Sequence, residues 1–190
     1  MFLSDVDIEK SVKRGDIVLR GFDKKRLQPA SYDILLGNKF QVLDNYKTDF
    51  IDPNNKRPIK LRDIKLKDGD EFILHPGVSV LGISKDYFGS KKFLVHLNGK
   101  SSLARIGLIV HNTAGLINPG HFLQITFELC NLNSVPIILR PGMEIAQLTF
   151  SELSSSPITD FHKKSKYDKD NWKMNHKKTT KNSLKTNKRK

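Results

Sequence analysis

The sequence predicts a mainly β chain, an antiparallel barrel or sandwich with one short helix at its N-terminus. Many short apolar runs follow one another at close spacing through the second half of the chain. Gly- and Pro-containing turns punctuate them, and only one stretch carries a helical stripe with a cap. At 190 residues the chain is long enough for one domain with a real core.

The helix comes first. In SDVDIEK, Ser4 is an N-cap candidate with Asp7 three residues on, Val12 repeats the apolar position of Ile8, and Gly15 ends the pattern. A brief strand is expected at 17–19. In LQPASYDILLG, Pro29 imposes an extended entry, and Tyr32, Ile34 and Leu36 alternate as strand residues do. Residues 40–43 read as the hairpin partner of this strand across a turn at Gly37-Asn38. Residues 44–70 are polar, with turn signals at Asp52-Pro53-Asn54-Asn55 and Asp68-Gly69. Strands are then expected at 71–74, 78–84, 92–97, 107–110, 124–130, 137–139 and 145–153. Turns are expected at His75-Pro76-Gly77, Asn98-Gly99, Asn118-Pro119-Gly120 and Arg140-Pro141-Gly142.

Charge divides the chain. Residues 161–190 hold 11 Lys and one Arg against two Asp, or +10 of the total +13, which leaves +3 for residues 1–160. The body is nearly neutral, and the basicity belongs to a C-terminal segment with few apolar residues. Residues 177–190 read as a basic, disordered tail whose plainest role is solubility, with nucleic-acid contact as the rival reading. No run approaches the roughly eighteen apolar residues a membrane span needs, and MFLSD is no signal peptide, so a cytoplasmic protein is expected. The single Cys130 cannot form an internal disulfide or a CxxC metal site, and the six histidines show no metal-ligand spacing.

The chemistry concentrates in NGKSSLARIGLIVHNTAGLINPGHFLQITFELCN, residues 98–131. Lys100, Ser101, Ser102 and Arg105 can bind anions, and Glu128 is a lone carboxylate in an apolar strand. Burial raises the pKa of such a carboxyl toward the range useful for moving protons. Read alone, residues 100–105 are a solvated turn and Glu128 an outward-facing strand residue.

Longer motifs change that reading. LSDVDI, LQPASYDILLGNKF, the LHPG turn, GKSSLARIGL, HNTAGLINPG, ITFELCN, RPGMEIAQLTF and a final SKY follow one another in order over most of the chain. Together they resemble the dCTP deaminase branch of the dUTPase-like trimeric nucleotide hydrolases, whose members are deaminases, dUTPases or enzymes that do both. The resemblance implies a distorted antiparallel dUTPase-like β-barrel (β-clip) and a homotrimer with active sites where subunits meet. It also implies dCTP as substrate, with Mg²⁺ carried on the triphosphate and no protein-bound metal. It divides the chain into a deaminase domain (1–160), a diverged lid (161–176) and the tail (177–190).

Residue roles follow from the same resemblance. Glu128 matches the catalytic glutamate, with Ser101 and Arg105 lining the base pocket and orienting it. The zinc-deaminase signature H-x-E with P-C-x-x-C is missing from the sequence, so the proton work falls to the carboxylate. Lys100, Ser102, Leu103 and Ala104 match the phosphate-binding part, and Thr113, Ala114 and Gly115 the segment that reads the pyrimidine. Thr126 and Phe127 precede the glutamate, and Gln147 and Lys166 match phosphate ligands, with Asp170 near a usual Gln. Gly115, where deaminase-only relatives tend to carry His, leaves room for a second hydrolytic water. Asn118 stands where the family carries an Asp that bears on the sugar and on attack at the α-phosphorus, and an amide cannot act as a base. The principal expectation is deamination of dCTP to dUTP and ammonia. The alternatives are a bifunctional enzyme forming dUMP and diphosphate, and a nucleotide-binding regulator that has lost turnover.

Overall fold

A computed structural model describes residues 1–44, 50–52 and 60–159. The expected lid, with Lys166 and Asp170, the basic tail and most of the 52–55 turn lie outside the described residues. Helix α1 (Asp5–Arg14) is capped as its sequence requires. Ser4 Oγ accepts from the Asp7 N–H at 3.4 Å, and the helix ends where the Gly15 N–H reaches back to the Val12 and Ser11 carbonyls. Its inner face buries Ile8.

Twelve strands follow: β1 (Ile17–Leu19), β2 (Leu27–Gln28), β3 (Ser31–Leu43), β4 (Leu61–Lys65), β5 (Phe72–Leu74), β6 (Ser79–Ser90), β7 (Leu94–Gly99), β8 (Leu108–Ile109), β9 (Leu116–Ile117), β10 (Phe122–Asn131), β11 (Ile137–Leu139) and β12 (Glu144–Ser151). A one-turn helix, α2 (Ser101–Ala104), lies between β7 and β8. Ten strands form one antiparallel sheet along the path β8-β10-β6-β3-β12-β7-β9, with β1 on β6 and β2 and β4 on β3; β5 and β11 pair separately.

The two ends of that path must meet. Strands β8 and β9 are six strand spacings apart, about 29 Å across a flat sheet. Only residues 110–115 connect them, and such a segment reaches about 24 Å fully extended. The sheet therefore curls into a barrel whose seam is this crossing segment. At its start Val110 O accepts from the Glu128 N–H of β10 at 3.1 Å, and at its end Gly115 O accepts from the Leu97 N–H of β7 at 2.7 Å. The interior is filled by alternate side chains of the long strands, among them Tyr32, Ile34, Leu36 and Phe40 of β3, Phe127 and Leu129 of β10, and Leu148 and Phe150 of β12, each 0% exposed.

The expected hairpin at Gly37-Asn38 is not formed. Strand β3 runs through it as one 13-residue strand, pairing with β12 over Tyr32 to Leu35 and with β6 and β4 beyond. A Cβ at Gly37 would lie 2.8 Å from the Ile83 carbonyl oxygen, so the glycine admits a neighbouring backbone at the corner instead of turning the chain back. Likewise Asn98-Gly99 is no turn. Both residues belong to β7 and pair with Gln147 and Ala146 of β12. The polar 44–70 region contributes the edge strand β4, which the sequence reading missed.

Candidate active site

Glu128 sits on β10 with its side chain half-buried, between the buried Phe127 and Leu129. The backbone N–H of Asn112, in the seam, donates to Glu128 Oε2 at 2.9 Å. That contact fixes the carboxylate against the segment containing Thr113, Ala114 and Gly115, leaving Oε1 available to another donor. Thr113 and Ala114 are exposed, and Gly115 is half-buried against β7. The His111 ring packs on Gly115, and its buried Nδ1 has no hydrogen-bond partner. The space a Gly115 Cβ would need is already taken, by Leu97 O at 2.9 Å and His111 Cε1 at 3.2 Å. Glycine is thus required here by the closing backbone, whatever further role the position has. Asn118 is exposed just past β9, where its carbonyl accepts from the His121 N–H at 3.2 Å.

A second cluster lies where β3, β7 and β12 adjoin. Lys100 Nζ donates to Asp33 Oδ2 and to Glu144 Oε2, each at 2.7 Å. Burial works against the Lys100 charge, but the hydrogen bonds to Asp33 and Glu144 outweigh it and hold the ammonium above the ordinary lysine value of 10.5. Gln28 Nε2 donates to the same Asp33 oxygen at 3.1 Å, while Asp33 Oδ1 is buried without a hydrogen-bond partner. Gln147 joins the group, accepting from Ser31 Oγ at 3.2 Å and donating to Gly99 O at 3.4 Å. Lys100 and Gln147, both expected to meet phosphate, are therefore close in the fold.

The short helix α2 carries Ser101, Ser102, Leu103 and Ala104, with Arg105 at its end. Leu103 packs against the core, and Ser101, Ser102, Ala104 and Arg105 are exposed. Among the described residues the Ser101 hydroxyl and the Arg105 guanidinium make no side-chain hydrogen bond or ion pair, with Glu128 or with any other group. Thr126 is half-buried beside Glu128 on β10. Phe127 is fully buried, and its ring supports the strand from the core side, where it cannot meet a ligand. No group of three or more His, Cys, Asp or Glu able to hold a metal ion occurs among the described residues.

Sequence reasoning passed over Asp33 and Glu144. Asp33 carries the signal that singled out Glu128, a carboxylate inside an apolar strand. Glu144 is flanked by Met143 and Ile145 in a strand that otherwise offers little charge.

The curled antiparallel sheet defines the class as a dUTPase-like β fold. The crystal structure of 2′-deoxycytidine 5′-triphosphate deaminase from Agrobacterium tumefaciens shares it, with a TM-score of 0.59 at 20% identity, over 78% of this chain and 47% of that one. At the level of sequence, a family model described as dCTP deaminase-like matches residues 2–153. The chain is 43% identical over 173 residues to the "dCTP deaminase, dUMP-forming" of Dictyoglomus thermophilum, covering 88% of this chain and 89% of the relative. It is 42% identical over 160 residues to the "dCTP deaminase" of Natronomonas pharaonis, covering 82% of each. The chain belongs to the dCTP deaminase-like family of enzymes.

Proposed function

We propose that this enzyme deaminates dCTP with Glu128 as proton shuttle and carries the product on, in the same site, to dUMP and diphosphate. The observation that carries the reading is the Asn112 N–H on Glu128 Oε2, which presents a half-buried carboxylate to the seam at a fixed angle. Deamination needs a water to attack C4 of cytosine. The carboxylate takes one proton from that water and gives it to N3 of the ring, then moves the remaining hydroxyl proton to the departing amine, so that ammonia leaves and a C4 carbonyl remains. A second water then attacks the α-phosphorus, and diphosphate departs.

The Arg105 guanidinium, exposed and unpaired among the described residues, supports a homotrimer in which the site closes between subunits, with Ser101 and Arg105 meeting the glutamate and the developing charge. Lys100, Ser102 and Gln147 serve the phosphates, and Mg²⁺ arrives as part of the nucleotide. The second hydrolysis is favoured by the names of the relatives, among them the 43% identical dUMP-forming enzyme and another 38% identical.

Asn118 favours a second reading in which the reaction stops at dUTP, because its amide cannot activate the second water. Incubation with dCTP and Mg²⁺ separates the two. Ammonia, dUMP and diphosphate in equal amounts support the first reading, and ammonia with dUTP the second. Nucleotide binding without any product would leave neither standing.

A further inference from the structure

We propose that Glu144 is a built-in competitor for the phosphates, an exposed carboxylate that neutralises Lys100 until a nucleotide displaces it. The inference rests on Lys100 being a phosphate ligand, as in the function proposed above, and adds what controls that ligand. Lys100 Nζ contacts both Asp33 Oδ2 and Glu144 Oε2 at 2.7 Å. The two carboxylates are not equivalent. Asp33 is 1% exposed on its side chain, and Lys100 is the only cation paired with it among the described residues. Breaking that contact would leave a buried, uncompensated charge. Glu144 is 44% exposed and stands on β12 at the bulge between Glu144 and Ala146, so it rehydrates readily on release.

With both acids engaged, one ammonium faces two carboxylates and the cluster carries a net charge of −1. An incoming triphosphate meets repulsion and finds two of the three lysine donors taken. The accommodating step is the departure of Glu144. Lys100 then keeps Asp33 and turns its freed donor to a phosphate oxygen. Gln147, tied to Ser31 and to Gly99 O, lies alongside and keeps the exchange within one polar cluster.

Removing the Glu144 charge without changing its shape should therefore tighten phosphate binding. Glu144→Gln is expected to lower KM for dCTP by about two- to five-fold, the range of a partly exposed ion pair, with a smaller change in kcat. Glu144→Asp, which keeps the charge, should stay close to wild type. An affinity readout that needs no turnover is the titration of inorganic triphosphate into the protein by calorimetry, where Glu144→Gln should bind several-fold tighter than wild type, a difference that narrows as salt screens the Glu144 charge. Unchanged or weaker triphosphate binding by Glu144→Gln would overturn the inference and mark Glu144 as a support for Lys100 instead. If the wild-type protein released no ammonia from dCTP yet the triphosphate result held, the proposed activity would fall while the competition stood.

Discussion

Gly115 and Leu97 are joined where the barrel closes: the Leu97 N–H donates to Gly115 O at 2.7 Å, and a Cβ on Gly115 would meet Leu97 O at 2.9 Å. Gly115→Ala must therefore move β7 or the seam. A loss of about 1–3 kcal/mol is expected, as for other overpacked sites, read as a lower midpoint in denaturant with an unchanged slope. An unaltered midpoint would mean that the seam has slack.

A buried ion pair braces β3 against β6. Arg26 Nη1 donates to Asp86 Oδ1 at 2.8 Å with side chains 10% and 6% exposed, and Asp86 Oδ2 accepts from the Leu35 N–H at 2.7 Å. Asp86→Ala strands the guanidinium and a backbone donor together, so a cost of about 3–5 kcal/mol is expected. The double variant Arg26→Met with Asp86→Leu should cost less than the single one, a comparison that equilibrium unfolding makes directly.

The raised pKa of Lys100 fixes the direction of a pH effect. A group protonated more tightly when folded contributes stability that is complete below its unfolded pKa, near the ordinary lysine 10.5, and is lost as pH rises through the higher folded value. The stability advantage of wild type over Lys100→Met should accordingly stay level to about pH 9.5 and shrink above 10.5. Thermal unfolding across pH 8 to 11 measures it, provided both proteins remain reversible over that range.

What the sequence made legible follows from how local each signal is. Helix α1 was readable because Ser4, Asp7, Ile8, Val12 and Gly15 all act within one or two turns. Most strands after residue 70 were readable because Gly and Pro mark their ends; the two-residue β9 was not expected, and Asn98-Gly99 lies inside β7 instead of ending it. Strand β3 was divided in error because a glycine followed by an asparagine looks like a turn, while Gly37 answers to Ile83, a residue of another strand. Strand β4 escaped notice because LRDIK is a largely exposed edge without a buried face. Glu128 stood out as an acid among apolar neighbours. Lys100 was visible as a cation, but its carboxylate partners are 67 and 44 residues away in sequence, a pairing that only the folded sheet makes.

Asn118 offers a gain-of-function test. Asn118→Asp supplies a carboxylate at the end of β9, where the side chain is exposed and free to meet a nucleotide. With dUTP supplied directly, the rate of diphosphate release should rise by about 10²-fold, the lower side of what a positioned base contributes. A diphosphate assay on dUTP reads it, and an unchanged rate would separate Asn118 from the second hydrolysis.

The most direct test of the central claim is ammonia release from dCTP by wild type and by Glu128→Gln. Glutamine can still accept the Asn112 N–H through its carbonyl oxygen but cannot carry a proton. Ammonia production should fall by about 10²–10⁴ or more while dCTP still binds. Undiminished ammonia release from Glu128→Gln would contradict the assignment of Glu128 as the proton shuttle.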